Sequence, residues 1–187
     1  MRGMTLVSCA VATAFASVAS AQVMTFGDLP GAETNPIPNT YSENGLNLSA
    51  TSGVFHQTFF AGNGNPAPAI YAHTQSSTSS TFEVTHDGGV WNFVGVDLLN
   101  INAGATFSIE GLLGGASQFT DSGPINNFPV WQQYGQGNSG FDIDTLRVTV
   151  NLGDSLQVFV DNVNAVPAPG VLPLLAGAGL FAARRRR

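Results

Sequence analysis

Between Gln22 and Val166 no window of this 187-residue chain sustains a helical repeat of apolar residues. Short alternating or apolar runs follow one another instead, separated by clusters of Gly, Pro, Asn and Ser. That is the pattern of strands joined by turns. It predicts strands over 23–26, 46–48, 54–60, 69–73, 81–85, 91–99, 106–112, 130–134, 145–150 and 156–162. Many short strands in one stretch long enough to bury a core predict an all-β fold, a jelly-roll-like antiparallel β-sandwich over 22–166. The most regular pair lies near its end. Leu146, Val148 and Val150 alternate with Arg147 and Thr149, then Asn151-Leu152-Gly153-Asp154 turns the chain, and Leu156, Val158 and Val160 alternate with Gln157, Phe159 and Asp161. This predicts a hairpin with one face in the core. Residues 162–169 read as a linker.

Charge narrows the partners. The chain has six arginines and no lysine, and four of the arginines are its last four residues. Within 22–166 the one cation, Arg147, faces all twelve carboxylates of the chain. Nucleic acid is excluded as an expected partner, because binding phosphate requires a basic footprint.

The two ends read as addresses. Arg2 precedes an apolar, small-residue run over 4–18, and Ala19-Ser20-Ala21 has the small-x-small form of a leader cleavage site. Residues 1–21 are therefore expected to be a signal peptide handled by the export machinery, with Ala19 and Ala21 marking the cut and Gln22 beginning the mature chain. The single cysteine, Cys9, would leave with the leader, so the mature protein would hold no disulfide, Cys nucleophile or Cys-ligated zinc. At the other end, Pro167-Ala168-Pro169 precedes 14 uncharged residues, 170–183, and then Arg184, Arg185, Arg186 and Arg187. As a helix the uncharged stretch would span about 21 Å, and the arginines would stay on the cytoplasmic side of the inner membrane.

This layout resembles the PEP-CTERM sorting signal of Gram-negative bacteria: a Pro-x-Pro motif, a short apolar transmembrane helix and a terminal Arg cluster. The resemblance covers 167–187, with Ala168 where the family usually has Glu. It implies recognition by exosortase, a membrane-embedded cysteine protease-transpeptidase, then release to the cell surface or matrix of bacteria that make exopolysaccharide or biofilm. The body also resembles jelly-roll, galactose-binding-like domains. The segments that carry this are Thr25-Phe26-Gly27-Asp28-Leu29-Pro30, Pro36-Ile37-Pro38-Asn39 with Tyr41, the run from Trp91 to Leu98, and Phe159-Val160-Asp161-Asn162-Val163.

Chemistry is thinner. His56, His73 and His86 form no metal-binding pattern, and no G-x-S-x-G elbow occurs. Asp142 and Asp144 are two apart, so on one strand they would point the same way, and such acids could serve a small secreted hydrolase. The sequence favours a non-enzymatic module. Resemblance to jelly-roll domains that carry a structural calcium, a cation wanting many oxygen ligands, makes Asp28, Asp142, Asp144 and Asp161 its candidate ligands. Trp91 is expected in the core. Trp131-Gln132-Gln133-Tyr134 combines flat rings with amides, so Trp131 and Tyr134 are the candidates for binding carbohydrate. A permanently membrane-anchored protein is the further alternative.

Overall fold

The computed structural model describes residues 20–29, 37, 39–58, 68–73, 77–102 and 104–168. They belong to one compact unit, Ala19–Ala168. The start of the leader, Pro169, the apolar tail and Arg184 to Arg187 lie outside the described residues. Among the described residues no helix is long and apolar enough to cross a membrane.

Among the described residues thirteen strands form in order: β1 (Gln22–Met24), β2 (Thr40–Glu43), β3 (Leu46–Ser52), β4 (Phe55–Thr58), β5 (Ala69–His73), β6 (Ser79–His86), β7 (Trp91–Asn100), β8 (Thr106–Leu113), β9 (Ala116–Pro124), β10 (Gln132–Tyr134), β11 (Asp142–Ile143), β12 (Thr145–Asn151) and β13 (Gln157–Pro167). They make a two-sheet antiparallel sandwich. One sheet runs β10-β7-β13-β5-β4, with β1 added to β13 and β11 to β7; the other runs β2-β3-β6-β12-β8-β9. The chain crosses between sheets from β6 to β7, from β7 to β8 and from β12 to β13, a jelly-roll-like wiring.

Alternation explains the packing. Leu46, Leu48, Phe82, Val84, Ile109, Leu146, Val148 and Val150 face inward from one sheet, and Trp91, Phe93, Val96, Leu98, Val158 and Val160 from the other. Aromatic pairs bridge the layers at Phe55–Phe82 (5.5 Å between centroids), Phe93–Phe119 (6.1 Å) and Phe107–Tyr134 (4.5 Å). Gly111 makes one of these contacts feasible. The Phe119 ring lies where a Cβ on Gly111 would be, so the ring covers the bare backbone of the neighbouring strand.

The expected hairpin over 145–162 does not form. Strand β12 pairs with β6 and β8, whereas β13 pairs with β7 and β5 in the opposite sheet. The turn is an inter-sheet corner. Leu152 and Ser155 are fully buried in it, and Gly153 adopts a left-handed φ of 55°. A side chain at Gly153 would collide with the Gly104 carbonyl oxygen, so only glycine fits both the conformation and the space. The expected linker is also strand. β13 continues to Pro167, with Ala165, Val166 and Pro167 opposite Phe93, Asn92 and Trp91. Its apolar residues Val163 and Ala165 are core, which is why the chain stays in the sheet.

Arg147 serves the other sheet. Its Nε donates to Glu83 Oε1 (2.9 Å) and its Nη1 to Glu110 Oε2 (3.0 Å), the residues directly opposite on β6 and β8. It is a cross-strand clamp on the solvent face, and such exposed pairs contribute little to stability.

Candidate functional site

The face of the β7-β13-β5-β4 sheet turned away from the core carries an ordered set of side chains. Leu99, Phe159, Tyr71 and His56 stand directly opposite one another across four strands. His56 stacks on Tyr71 at 5.3 Å, Tyr71 meets Phe159 at 5.4 Å, and Trp131 abuts Phe159 edge-on at 6.5 Å. One polar row flanks this line with Gln157 opposite His73. On the other flank Gln133, Asp97 and Asp161 lie in register. Asp161 is fully buried and Asp97 nearly so. Here β13 bulges between Asp161 and Asn164, and Asn162 takes a left-handed φ of 45°. The bulge brings Asn162 Nδ2 to Asp97 Oδ2 (2.9 Å) and Asn162 N–H to Asp161 Oδ1 (2.7 Å). Phe159 and Tyr71 are 1% and 6% exposed, so the centre of the row is covered.

The accessible part is the loop 125–131 at the end of this row. Phe128 and Val130 are 52% and 56% exposed, and Trp131, next in the chain, is half-buried. Polar anchors fix the loop. Buried Asn100 accepts Asn102 N–H on Oδ1 (3.2 Å), shares that oxygen with the Ser155 hydroxyl, and donates from Nδ2 to Asn127 Oδ1 (3.1 Å). Its backbone accepts Phe128 N–H (2.6 Å) and donates to Asn126 O (3.0 Å). Trp131 Nε1 is buried without a hydrogen-bond partner among the described residues. An unpaired buried donor costs about 1–3 kcal/mol.

The two sugar-binding candidates therefore separate. Trp131 joins the outer row, but Tyr134 points into the core, 9% exposed, packed on Phe107 with its hydroxyl accepting Asn126 N–H (2.7 Å). They are three residues apart, and odd separations in extended chain face opposite ways. Trp91 is core as expected, fully buried with Nε1 donating to Asp144 O (3.4 Å).

Nor do the four candidate calcium ligands converge. Asp142 bonds Asn92 Nδ2 (2.8 Å) beside β7, while Asp144 Oδ2 accepts Gly114 N–H (2.7 Å) in the β8–β9 turn. The chain passes from one sheet to the other between β11 and β12, so the two aspartates part. Asp28 is exposed by Tyr41, and Asp161 faces Asp97. Among the described residues no three His, Cys, Asp or Glu side chains are grouped to hold a metal.

A polar centre that the sequence reading passed over lies at the chain start. Glu43 accepts Thr25 N–H (2.8 Å), Thr25 Oγ1–H (2.7 Å), Phe26 N–H (2.7 Å) and Tyr41 O–H (3.1 Å). It clips the segment 22–29 to the body and holds Phe26 at a left-handed φ of 60°. Burial pushes the Tyr41 phenol far above its ordinary range, and the Glu43 charge adds to this. Burial raises Tyr134 as well. Both phenols stay neutral in the fold at a pH where the unfolded chain ionises them. Stability is thus complete below about pH 10 and falls as pH rises beyond it. Melting temperatures measured across this range should drop, and the drop should be shallower in a Tyr41→Phe, Tyr134→Phe double variant.

The fold defines a two-sheet antiparallel β-sandwich module. No family model matches the chain, and no curated protein matches it. Similar solved structures include a DUF4465 family protein from Bacteroides caccae, with 8% identity over 79% of this chain and 99% of the other, at a TM-score of 0.50. TmCBM61 in complex with β-1,4-galactotriose has 14% identity over 64% and 86%, at 0.45. A family 11 carbohydrate-binding module of a Clostridium thermocellum cellulosomal cellulase has 14% over 81% and 97%, at 0.44. At such identities these are likenesses of fold.

Proposed function

We propose that this is an exported, non-catalytic β-sandwich protein made as a precursor. The leader 1–21 directs export. The PEP-CTERM-like tail 167–187 halts the chain in the inner membrane, where an exosortase-type transpeptidase acts near Pro167-Ala168-Pro169. The body then reaches the cell surface or extracellular matrix and holds polysaccharide through the loop around Trp131.

One observation carries the reading. Among the described residues the first strand begins at Gln22 and the last ends at Pro167, the two positions at which processing is expected. Both cuts would leave the sandwich whole. Ser20 and Ala21 are exposed, in an open hollow lined also by Gln22, Val23, Thr25 and Asn44, so a peptidase can reach the bond. Carbohydrate is supported by the exposed apolar surface of Phe128 and Val130 next to Trp131 in the chain.

The intact mass of the cell-surface form tests the sorting. It should match a chain beginning at Gln22 and lacking Arg184 to Arg187. A membrane-bound form that keeps the arginines would favour permanent anchoring instead. On a glycan array, Trp131→Ala should weaken binding by roughly 30-fold, the effect of losing a central aromatic anchor worth about 2 kcal/mol. Unchanged binding would remove the loop from the account.

A further inference from the structure

Gln22 is held in a way that its position in a strand does not require. Its side-chain Oε1 lies 2.5 Å from His86 Nε2. The other ring nitrogen, Nδ1, accepts Gly88 N–H at 2.8 Å. In the neutral imidazole one nitrogen accepts and the other carries the proton. The Gly88 bond therefore puts the proton on Nε2, and His86 donates to the amide oxygen of Gln22. The backbone of Gln22 sits opposite Ala165 at the outer end of β13, and Ala21 before it is exposed.

We propose that Gln22 is a modification site, at which the freed N-terminus closes on its own side chain to give pyroglutamate with His86 as the polarising group. This rests on removal of the leader after Ala21. Once that bond is cut, the α-amine of Gln22 is separated from its own Cδ only by rotations within the residue. The amine nitrogen attacks Cδ, and the C=O electron pair moves onto Oε1. The charge that builds there meets the His86 Nε2–H, a donor already aimed at that atom. Collapse restores the carbonyl, breaks the Cδ–Nε2 bond and expels ammonia, which carries off the proton lost by the attacking nitrogen. No oxidant or co-reactant is needed. The product is an uncharged lactam at the start of β1, closed to aminopeptidases.

Peptide mapping of the exported protein tests this. The N-terminal peptide should begin at residue 22 and be lighter than a free glutamine terminus by one ammonia. Freshly processed protein should cyclise on the order of tenfold more slowly in His86→Phe, which keeps ring bulk without the donor. His86→Gln, which restores a side-chain N–H, should recover much of the rate. The difference among the three should vanish when the chains are unfolded in urea. A peptide beginning at an uncyclised Gln22 would overturn the inference and leave leader removal standing. A peptide beginning elsewhere would overturn both. Equal rates in folded wild type and His86→Phe would remove His86 from the chemistry and with it the proposal.

Discussion

Replacing Asn100 with leucine is expected to destabilise the sandwich by about 3 kcal/mol, read as a shift in the denaturant midpoint at unchanged slope. Asn100 is fully buried, and its side chain ties three pieces of chain together: the turn after β7 at Asn102, the loop at Asn127 and the inter-sheet corner at Ser155. Leucine fills the volume but leaves the Asn102 N–H and the Asn127 oxygen without their partner. Both residues are exposed, so water can take up the freed groups, and the loss is that of the bonds themselves, about 0.5–1.5 kcal/mol each. Tryptophan emission should shift to the red as the loop loosens around Trp131. Ser155→Ala removes the hydroxyl's contacts to Asn100 Oδ1 and Gln157 O (2.9 Å) but leaves Asn100 its bonds to Asn102 and Asn127, and should cost about 1 kcal/mol. A leucine variant as stable as the parent would show that the corner and loop are held by packing alone.

Glu43→Ala should have a comparable effect, about 3 kcal/mol, with a different signature. Hydrogen bonds to a charged acceptor are worth about 1.5–3 kcal/mol each, and Glu43 receives bonds from two successive backbone N–H groups and two hydroxyls. Their loss should free the segment 22–29 and uncover Met24 and Phe26, both fully buried in the parent. Limited proteolysis should then cut within that segment well below the global unfolding midpoint. Glu43→Gln keeps an acceptor oxygen and should fall between. Resistance to protease equal to that of the parent would mean that the strand pairing of β1 with β13 suffices to hold the segment.

The parts of this fold legible in the sequence are those buried on one face or between apolar neighbours. β5 matches its expected bounds, and β7, β8 and β12 differ by a residue at most. The strands that went unread, β2 and β9, are the two edges of one sheet, and β11 has only two residues. An edge strand needs little apolar surface: only Phe119 of β9 is buried. Turn chemistry would have found both. Asn44-Gly45 and Gly114-Gly115 each have positive φ at both residues, the mark of tight hairpin turns. The misread corner at Gly153 has another cause. β13 is buried on both faces, with Val158 and Val160 inside and Phe159 and Asp161 beneath the outer surface. A period-two pattern cannot reveal which sheet such a strand will join.

The candidate site was legible only in pieces. Trp131 could be named from its neighbours. The separation of Tyr134 followed from spacing alone and was available. The row of His56, Tyr71, Phe159 and Leu99 was not, because it is assembled from four strands whose order no local pattern encodes. Glu43 and Asn100 look like ordinary polar residues in sequence. Their importance comes from the strained turns and bare N–H groups that the fold brings to them.

Strand β13 is the longest among the described residues and lies between β7 on one side and β5 and β1 on the other. It also leads directly to the end of the body at Pro167. A pull applied there runs along the axis of this strand, so its inter-strand bonds are loaded in shear and resist together. A body hung on an edge strand would peel, its bonds breaking one after another. A load entering at this end of the domain therefore meets its most resistant geometry.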